Sequence, residues 1–446
     1  MHVYLDDLAA KQAPRYTSYP TAVEFHNGVG AEDQAEALRA IAPGTATSLY
    51  VHVPYCHEIC WYCGCNTGAI GRSDRLDAYV ETLEREIARV AAMSAGRVTS
   101  VHFGGGSPNA LAPASLIRVT RAIRDAFDMD PDAEWAIELD PRRVDNAMAA
   151  AIAESGFGRA SLGVQTLSLR VQSAINRLQP LRTVSAVTAR LRDAGVTAIN
   201  FDLMYGLPHQ TLDDIASTIA QALALAPDRI AMFGYAHMPR MLPRQRLIDD
   251  TALPGPEARF WQSALAHDLL VEADYAAIGF DHFALPEDSL AIAARKGRLR
   301  RNFQGFTDDP ARTLIGLGPS AISQFDGLLV QNEKHVGSYR MRVGNDLLAG
   351  ARGVRIDDED RLRGDLIERL LCDGAVDLAQ VAQRHSRSVA SLAGIRPALK
   401  AMADRGLVSI TDARIELAGH ARPYARLVAA ALDAYRPLPG RFSHAV

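Results

Sequence analysis

Four of the chain's five cysteines fall within ten residues, in the stretch PYCHEICWYCGCNT that runs from Pro54 to Thr67. Cys56, Cys60, Cys63 and Cys65 are separated by three, two and one intervening positions. Thiols this close, in a chain that otherwise uses cysteine once, point to a metal or redox group rather than to disulfides. Structural zinc usually takes two knuckles a dozen or more residues apart, so that four ligands close a tetrahedron. Cys63 and Cys65, one residue apart, are poorly placed to share an ion with Cys56 and Cys60. A thioredoxin-type redox pair needs a single CxxC. CxxxCxxC instead sets three thiolates around one face of an iron–sulfur cube. Three ligands for four irons leave one iron open, free to chelate an amino and a carboxylate group. Cys372, inside the helical pattern RGDLIERLLCDG, reads as core filling.

The elements around this loop follow a regular plan. Between residues 48 and 275 six apolar, β-branched or aromatic-rich runs alternate with helix-period segments. The runs are SLYVHVP (48–54), VTSVHFGGG (98–106), EWAIELDP (134–141), RASLGVQ (159–165), AINFDLMYG (198–206) and RIAMFGYAH (229–237). Alternating βα units predict a parallel sheet, open or curled into a barrel, with ligands at the carboxyl ends of its strands. Those ends carry the cysteine loop, GGGSP, Glu138, Gln165, Asp202 and Ala236. From about residue 345 the pattern changes to helices, then a hairpin in GLVSITDARIELAG, then a last helix. That order resembles a winged helix, but no Lys/Arg cluster accompanies it, and a lid or packing domain is the preferred reading.

Composition is that of a soluble globular protein, with 48% apolar and 22% charged residues. A net charge of −4 gives no basic field for nucleic acid, and none is expected as a partner. Only Lys11, Lys296, Lys334 and Lys400 are lysines, an arginine excess best read as genomic base composition. The start, MHVYLDDLAAKQ, has no signal-peptide pattern, and no run reaches the roughly 18 apolar residues of a membrane span. A cytoplasmic monomer is expected.

CHEICWYC resembles the CxxxCxΦC signature of radical S-adenosylmethionine (SAM) enzymes, with Tyr62 as the aromatic before the last ligand. The trailing Cys65 makes CxxxCxxCxC, similar to the oxygen-independent coproporphyrinogen III oxidase family. PRYTSYPTA, LYVHVPYC, FGGGSP, IELDP, LGVQ, INRLQ, FDLMYGLP, FGYAHMP, GFDHFA, RNFQGFT, GPSAIS and the terminal RFS extend the likeness in order across nearly the whole chain. The resemblance implies a partial (β/α)6 radical-SAM barrel over 41–345, an N-terminal arm over 1–40 and a mostly helical, winged-helix-like lid over 346–446. It implies a 4Fe-4S cluster on Cys56, Cys60 and Cys63, with SAM on the fourth iron. An electron from the cluster then cleaves SAM, and the resulting 5′-deoxyadenosyl radical takes hydrogen from a propionate β-carbon. Carbon dioxide and a further electron leave, so two propionates of coproporphyrinogen III become the vinyl groups of protoporphyrinogen IX.

The resemblance further implies two SAM molecules. Tyr50, Gly105, Glu138 and Ile322 would contact the first, and Tyr62, Gly106, Ser107, Gln165, Arg177, Asp202 and Ala236 the second. Cys65 and Gln304 are the candidate catalytic residues, although a structural thiol accounts for Cys65 equally well. Arg177 suits a carboxylate, and is otherwise a surface helix arginine. Ser107 keeps the hydroxyl of the threonine expected there, whereas Phe306 loses that of an expected tyrosine. Arg15, Tyr16, Tyr19, Asn302, Phe303 and Gln304 are weaker substrate candidates, and His52 and His57 read as ordering the cysteine loop. The electron donor is unidentified. Competing readings are a haem-binding chaperone of the same family without oxidase activity, another radical chemistry such as methyl transfer or haem cleavage, and a zinc-stabilised regulatory module.

Overall fold

The computed structural model describes residues 2–71, 74–435 and 442; of the terminal RFS only Phe442 is among them. Its largest sheet has twelve strands. The six expected runs appear as β1 (Ala46–Val53), β2 (Arg97–Gly105), β3 (Asp128–Leu139), β4 (Arg159–Gln165), β5 (Ala198–Tyr205) and β6 (Arg229–Gly234), each parallel to the next. Antiparallel strands β7 (Ala276–Ile278) and β8 (His282–Ala284) extend the β6 side. On the other side β9 (Thr313–Leu317) adds a seventh parallel strand beside β1, followed by antiparallel β10 (Ile322–Phe325), β11 (Leu328–Asn332) and β12 (Gly350–Arg355). The order β12-β11-β10-β9-β1-β2-β3-β4-β5-β6-β8-β7 never closes on itself, so the barrel is partial.

The strand sequences explain which face is which. Parallel strands covered on both faces usually read as unbroken apolar runs. Here β4 and β5 alternate: Ala160, Leu162, Val164, Ile199, Phe201 and Leu203 are buried, whereas Ser161, Gln165, Asn200 and Asp202 are half-buried. The apolar set joins the main core beneath helices such as Pro113–Ala126 and Leu181–Asp193, whose buried stripes are Leu116, Val119, Ile123 and Val184, Val187, Leu191. The polar set is left for the interior. The helix Leu212–Leu223 starts from a capping box in which Thr211 and Asp214 satisfy each other's backbone N–H.

Two further pieces complete the barrel. A hairpin, Arg300–Asn302 with Gly305–Thr307, bridges its open side: Phe303 packs edge-on against Tyr50 of β1, and Phe306 against His282 of β8. Behind it lies a second core formed by the helix Asp358–Asp373 and a three-stranded sheet of Ala375–Asp377, Arg414–Leu417 and Val408–Ile410, which also buries Tyr16 and Phe306. β12 still belongs to the main sheet, whereas the second core joins residues from Leu362 onward to Ile278, Ala284, Leu290, Ala291 and Leu299. The N-terminal segment touches both bodies, through a bridge from His26 to Gly353 and a bond from Tyr16 Oη to Asp433.

Candidate active site

β1 ends in the cysteine loop, which is pinned from several directions. Tyr55–Cys56 pairs with Gly68–Ala69, so the loop closes on its own base. The buried His52 ring reaches Asn66 O with Nε2 at 3.0 Å and Tyr50 Oη with Nδ1 at 3.2 Å, ordering the loop as expected of it. Gly105, at φ 104°, lies where a Cβ would sit 2.6 Å from that ring, and at Gly106 a Cβ would come 2.6 Å from Tyr55 O. Gly104, Gly105 and Gly106 thus lack side chains because Glu138, His52 and the base of the cysteine loop, respectively, pack against them. Gly105 N also donates to Glu138 Oε2 at 3.3 Å, while Glu138 Oε1 lies 3.1 Å from His102 Nε2.

The loop opens onto a cavity of about 430 Å³ at the carboxyl ends of the strands. Cys56, Cys60, Cys63 and Cys65 line it together with Tyr62, Gly105, Gly106, Ser107, Glu138, Gln165, Arg177, Asp202 and Ala236. Tyr50 and Ile322 are not in its wall. Tyr50 is buried against His102, Phe303, Leu314 and Ala321, and Ile322 packs at the β10 edge near Phe25. Gln304 lines a second cavity, about 380 Å³, inside the barrel; the two share Glu138, Ser161, Asp202 and Phe233. Among the weaker candidates Arg15 reaches the first cavity and donates to Gly234 O at 2.9 Å. Tyr16 and Tyr19 lie elsewhere, bonded to Asp433 and to the backbone of Ala434. No described residue beyond 310 lines either cavity.

Arg177 is 7% exposed and no surface arginine. Its Nη2 donates to Gly163 O at 2.6 Å, its Nη1 to Cys60 Sγ at 3.2 Å, and its buried Nε has no protein partner. Asp202 accepts from Ser161 and Asn200, yet burial, aided by the nearby Glu138 charge, pushes its carboxyl up to about 6. Reading along the sequence missed Asp140, Arg142, Arg244 and Gln245. Asp140 is chelated by Arg142; Arg244 Nη2 donates to Thr67 O at 2.9 Å, and Gln245 Nε2 to Tyr62 O at 2.8 Å. Asp140 follows β3 within IELDP and was within reach, but the other three sit in short 3-10 turns, Pro141–Arg143 and Pro243–Leu247, too brief for a periodic signal.

The thiols suit a cluster better than a single ion. Tetrahedral zinc at a Zn–S distance near 2.3 Å would bring its sulfurs within about 4 Å of one another. Among the described residues the one trio of ligand atoms lying within 4.8 Å of one another is His2, His267 and Asp268, with no cysteine in it. Each of the three expected ligands instead has its own hydrogen-bond partner: Thr67 Oγ1 lies 3.2 Å from Cys56 Sγ, Arg177 Nη1 donates to Cys60 Sγ, and Cys65 N donates to Cys63 Sγ at 3.4 Å. Hydrogen bonding with Cys65 holds the Cys63 thiol down at about 6, whereas burial pushes Cys56 up to about 11.

A three-thiol loop at the carboxyl ends of a partial parallel barrel defines a radical SAM protein, and the sequence model described as the radical SAM superfamily matches residues 50–222. The model of the HemN C-terminal domain matches residues 356–424. Over 97% of both chains the protein is 44% identical to the oxygen-independent coproporphyrinogen III oxidase of Bradyrhizobium diazoefficiens. It is 41% identical to the anaerobic coproporphyrinogen III oxidase 1 of Cereibacter sphaeroides, over 97% of this chain and 96% of the relative. The solved structure of coproporphyrinogen III oxidase (HemN) from Escherichia coli superposes with a TM-score of 0.91 at 35% identity, covering 95% of this chain and all of the other. The chain belongs to the oxygen-independent coproporphyrinogen III oxidase family.

Proposed function

We propose that the protein converts two propionate side chains of coproporphyrinogen III to vinyl groups, giving protoporphyrinogen IX for haem synthesis. The observation that carries this is the near-complete, 44% identical alignment with an oxidase, joined to three thiols opening on one cavity. When bound, the cluster and SAM supply a carbon radical that removes hydrogen from the propionate β-carbon. Cys56, Cys60 and Cys63 would hold the cluster, and the chain's other residues bind, orient and exclude water. Arg177 has an unpartnered buried N–H for a carboxylate. Glu138, between the two cavities, can accept hydrogen bonds from a ribose or an ammonium.

Two SAM molecules are proposed, since all seven residues assigned to the second line one cavity with Gly105 and Glu138 of the first set. Tyr50 and Ile322 would then act from behind the wall. The proposed division is an arm over 1–40, a barrel ending with β12, and a C-terminal domain that braces the hairpin. A monomer served by an external one-electron donor is proposed. A reduced compartment such as the cytoplasm suits free thiols; no helix of the described residues is long and apolar enough to cross a membrane.

Anaerobic turnover of coproporphyrinogen III with SAM and a strong reductant tests the reading. Methionine, carbon dioxide and a vinyl-bearing porphyrinogen are expected. Haem binding without carbon dioxide release would favour the chaperone, and a methylated or ring-opened tetrapyrrole another radical chemistry.

A further inference from the structure

The neighbours of the three ligand thiols differ in charge. Cys56 meets a hydroxyl and Cys63 a backbone N–H, both neutral. Cys60 Sγ faces two guanidiniums, Arg177 Nη1 at 3.2 Å and Arg142 Nη2 at 3.9 Å. Neither can swing away. Arg142 chelates Asp140 through Nε at 3.0 and 3.2 Å and Nη2 at 2.7 Å, and Nη1 grips Glu58 in the cysteine loop at 2.8 Å. Arg177 is tied to Gly163 O and lies 3.7 Å from Asp140 Oδ1. Burial opposes the Asp140 charge, but Arg177 and Arg142 outweigh it and hold the carboxyl down at about 2. Two guanidiniums are thus fixed at a single buried sulfur, with the Asp140 and Glu58 carboxylates behind them.

We propose that Arg142, together with Arg177, raises the one-electron reduction potential of the iron–sulfur group through Cys60, with Asp140 as the opposing charge. The proposal rests on the cluster reading of the three cysteines. Reduction adds one electron and one unit of negative charge, and no bond forms or breaks. A guanidinium on the ligand sulfur therefore favours the reduced form over the oxidised one, and a carboxylate does the reverse. Burial keeps both effects weakly screened. Arg142 is a positioning residue that acts through Cys60. It does not itself line the cavity, but its partners Asp140 and Glu58 do, so the midpoint is read without SAM and the iron content is read beside it.

The test is a potentiometric titration of the anaerobically reconstituted full chain without SAM, with dithionite as reductant. Electron paramagnetic resonance follows the reduced form, and iron and sulfide are counted per chain. Arg142→Met should cut the reduced-to-oxidised ratio about tenfold at the wild-type midpoint, a fall of about 59 mV for one electron. Asp140→Asn should raise the midpoint by a similar amount, and Arg142→Lys, which keeps the charge, should stay near wild type. Residues that only brace the loop would shift both midpoints the same way or lose iron at an unchanged midpoint, and either result overturns the proposal. If Arg142→Met cannot hold iron, Asp140→Asn decides: a rise supports the proposal, whereas no rise or an empty protein ends it. A wild-type chain that takes up no cluster would instead sink the reading of the cysteines.

Discussion

Replacing a cysteine with serine removes a soft ligand and leaves a hydroxyl that binds iron poorly. Cys60→Ser leaves two thiolates for a cube that needs three, and it also leaves Arg177 facing a weaker acceptor. That variant should purify with little iron and show no turnover. Cys65→Ser should behave differently, because the backbone N–H that donates to Cys63 Sγ is kept and a serine hydroxyl replaces the thiol that also hydrogen-bonds there. Full iron content is expected, and its loss would make Cys65 a ligand. A second residue-scale prediction concerns pH. Glu86 is buried, and burial pushes its carboxyl up to about 7 despite bonds from Gly318 N, Tyr339 Oη and Asn332 Nδ2. The folded state thus holds this proton more tightly than the unfolded state, where the pKa is 4.5. Stability from this group is full below about 4.5 and is lost as pH rises through 7, by roughly 3 kcal/mol at 1.36 kcal/mol per unit. In Glu86→Gln that component disappears, so the Tm difference between the two proteins should change between pH 4.5 and 7.5 and level off above.

The strand ends and turns around the site show which features a sequence can disclose. Gly106→Ala would place a methyl 2.6 Å from Tyr55 O and 2.9 Å from Tyr55 N, backbone atoms that cannot rotate aside. We expect the cysteine loop to be displaced, at a cost of about 1–3 kcal/mol, with weaker SAM binding in equilibrium dialysis of the reconstituted protein. Unchanged SAM affinity would show that the turn tolerates the methyl. The six long strands were legible because each pairs a β-branched run with a polar or glycine end, and those ends form the rim. β9 was not: TLIGL is five residues long and sits between loops, so only its pairing with β1 marks it as a parallel strand. Arg142, Arg244 and Gln245 were equally silent, since arginines and glutamines in single 3-10 turns show their role only through the partner that folding brings. Tyr50 illustrates the opposite limit. Its side chain ends under Phe303 because the hairpin closes over β1, a contact between residues 253 positions apart.

The arm and the C-terminal body are joined far from the cysteines. Tyr424 Oη accepts Leu5 N at 2.7 Å and donates to Val3 O at 3.1 Å, and Arg405 pairs with both carboxylate oxygens of Asp7. Further along, Arg426 Nη1 donates to Ala13 O at 3.0 Å and Tyr16 Oη to Asp433 Oδ2 at 2.9 Å. Two residues beyond Ala13, Arg15 reaches the cavity wall, so this strap runs from the C-terminal core to the rim of the site. The salt bridge is exposed and contributes little, whereas the tyrosine satisfies two backbone groups at once. Tyr424→Phe keeps the ring stacked on Phe260 and removes only the hydroxyl, leaving Leu5 N–H and Val3 C=O without partners. The expected cost is about 1–3 kcal/mol, which corresponds to roughly ten- to hundredfold faster amide exchange over residues 3–9 if the strap opens locally. Exchange in β1 and β2, inside the main core, should stay at its wild-type rate. Equal acceleration in those strands would mean that arm and barrel unfold as one unit, and the strap would then have no opening of its own through which Arg15 could move at the cavity.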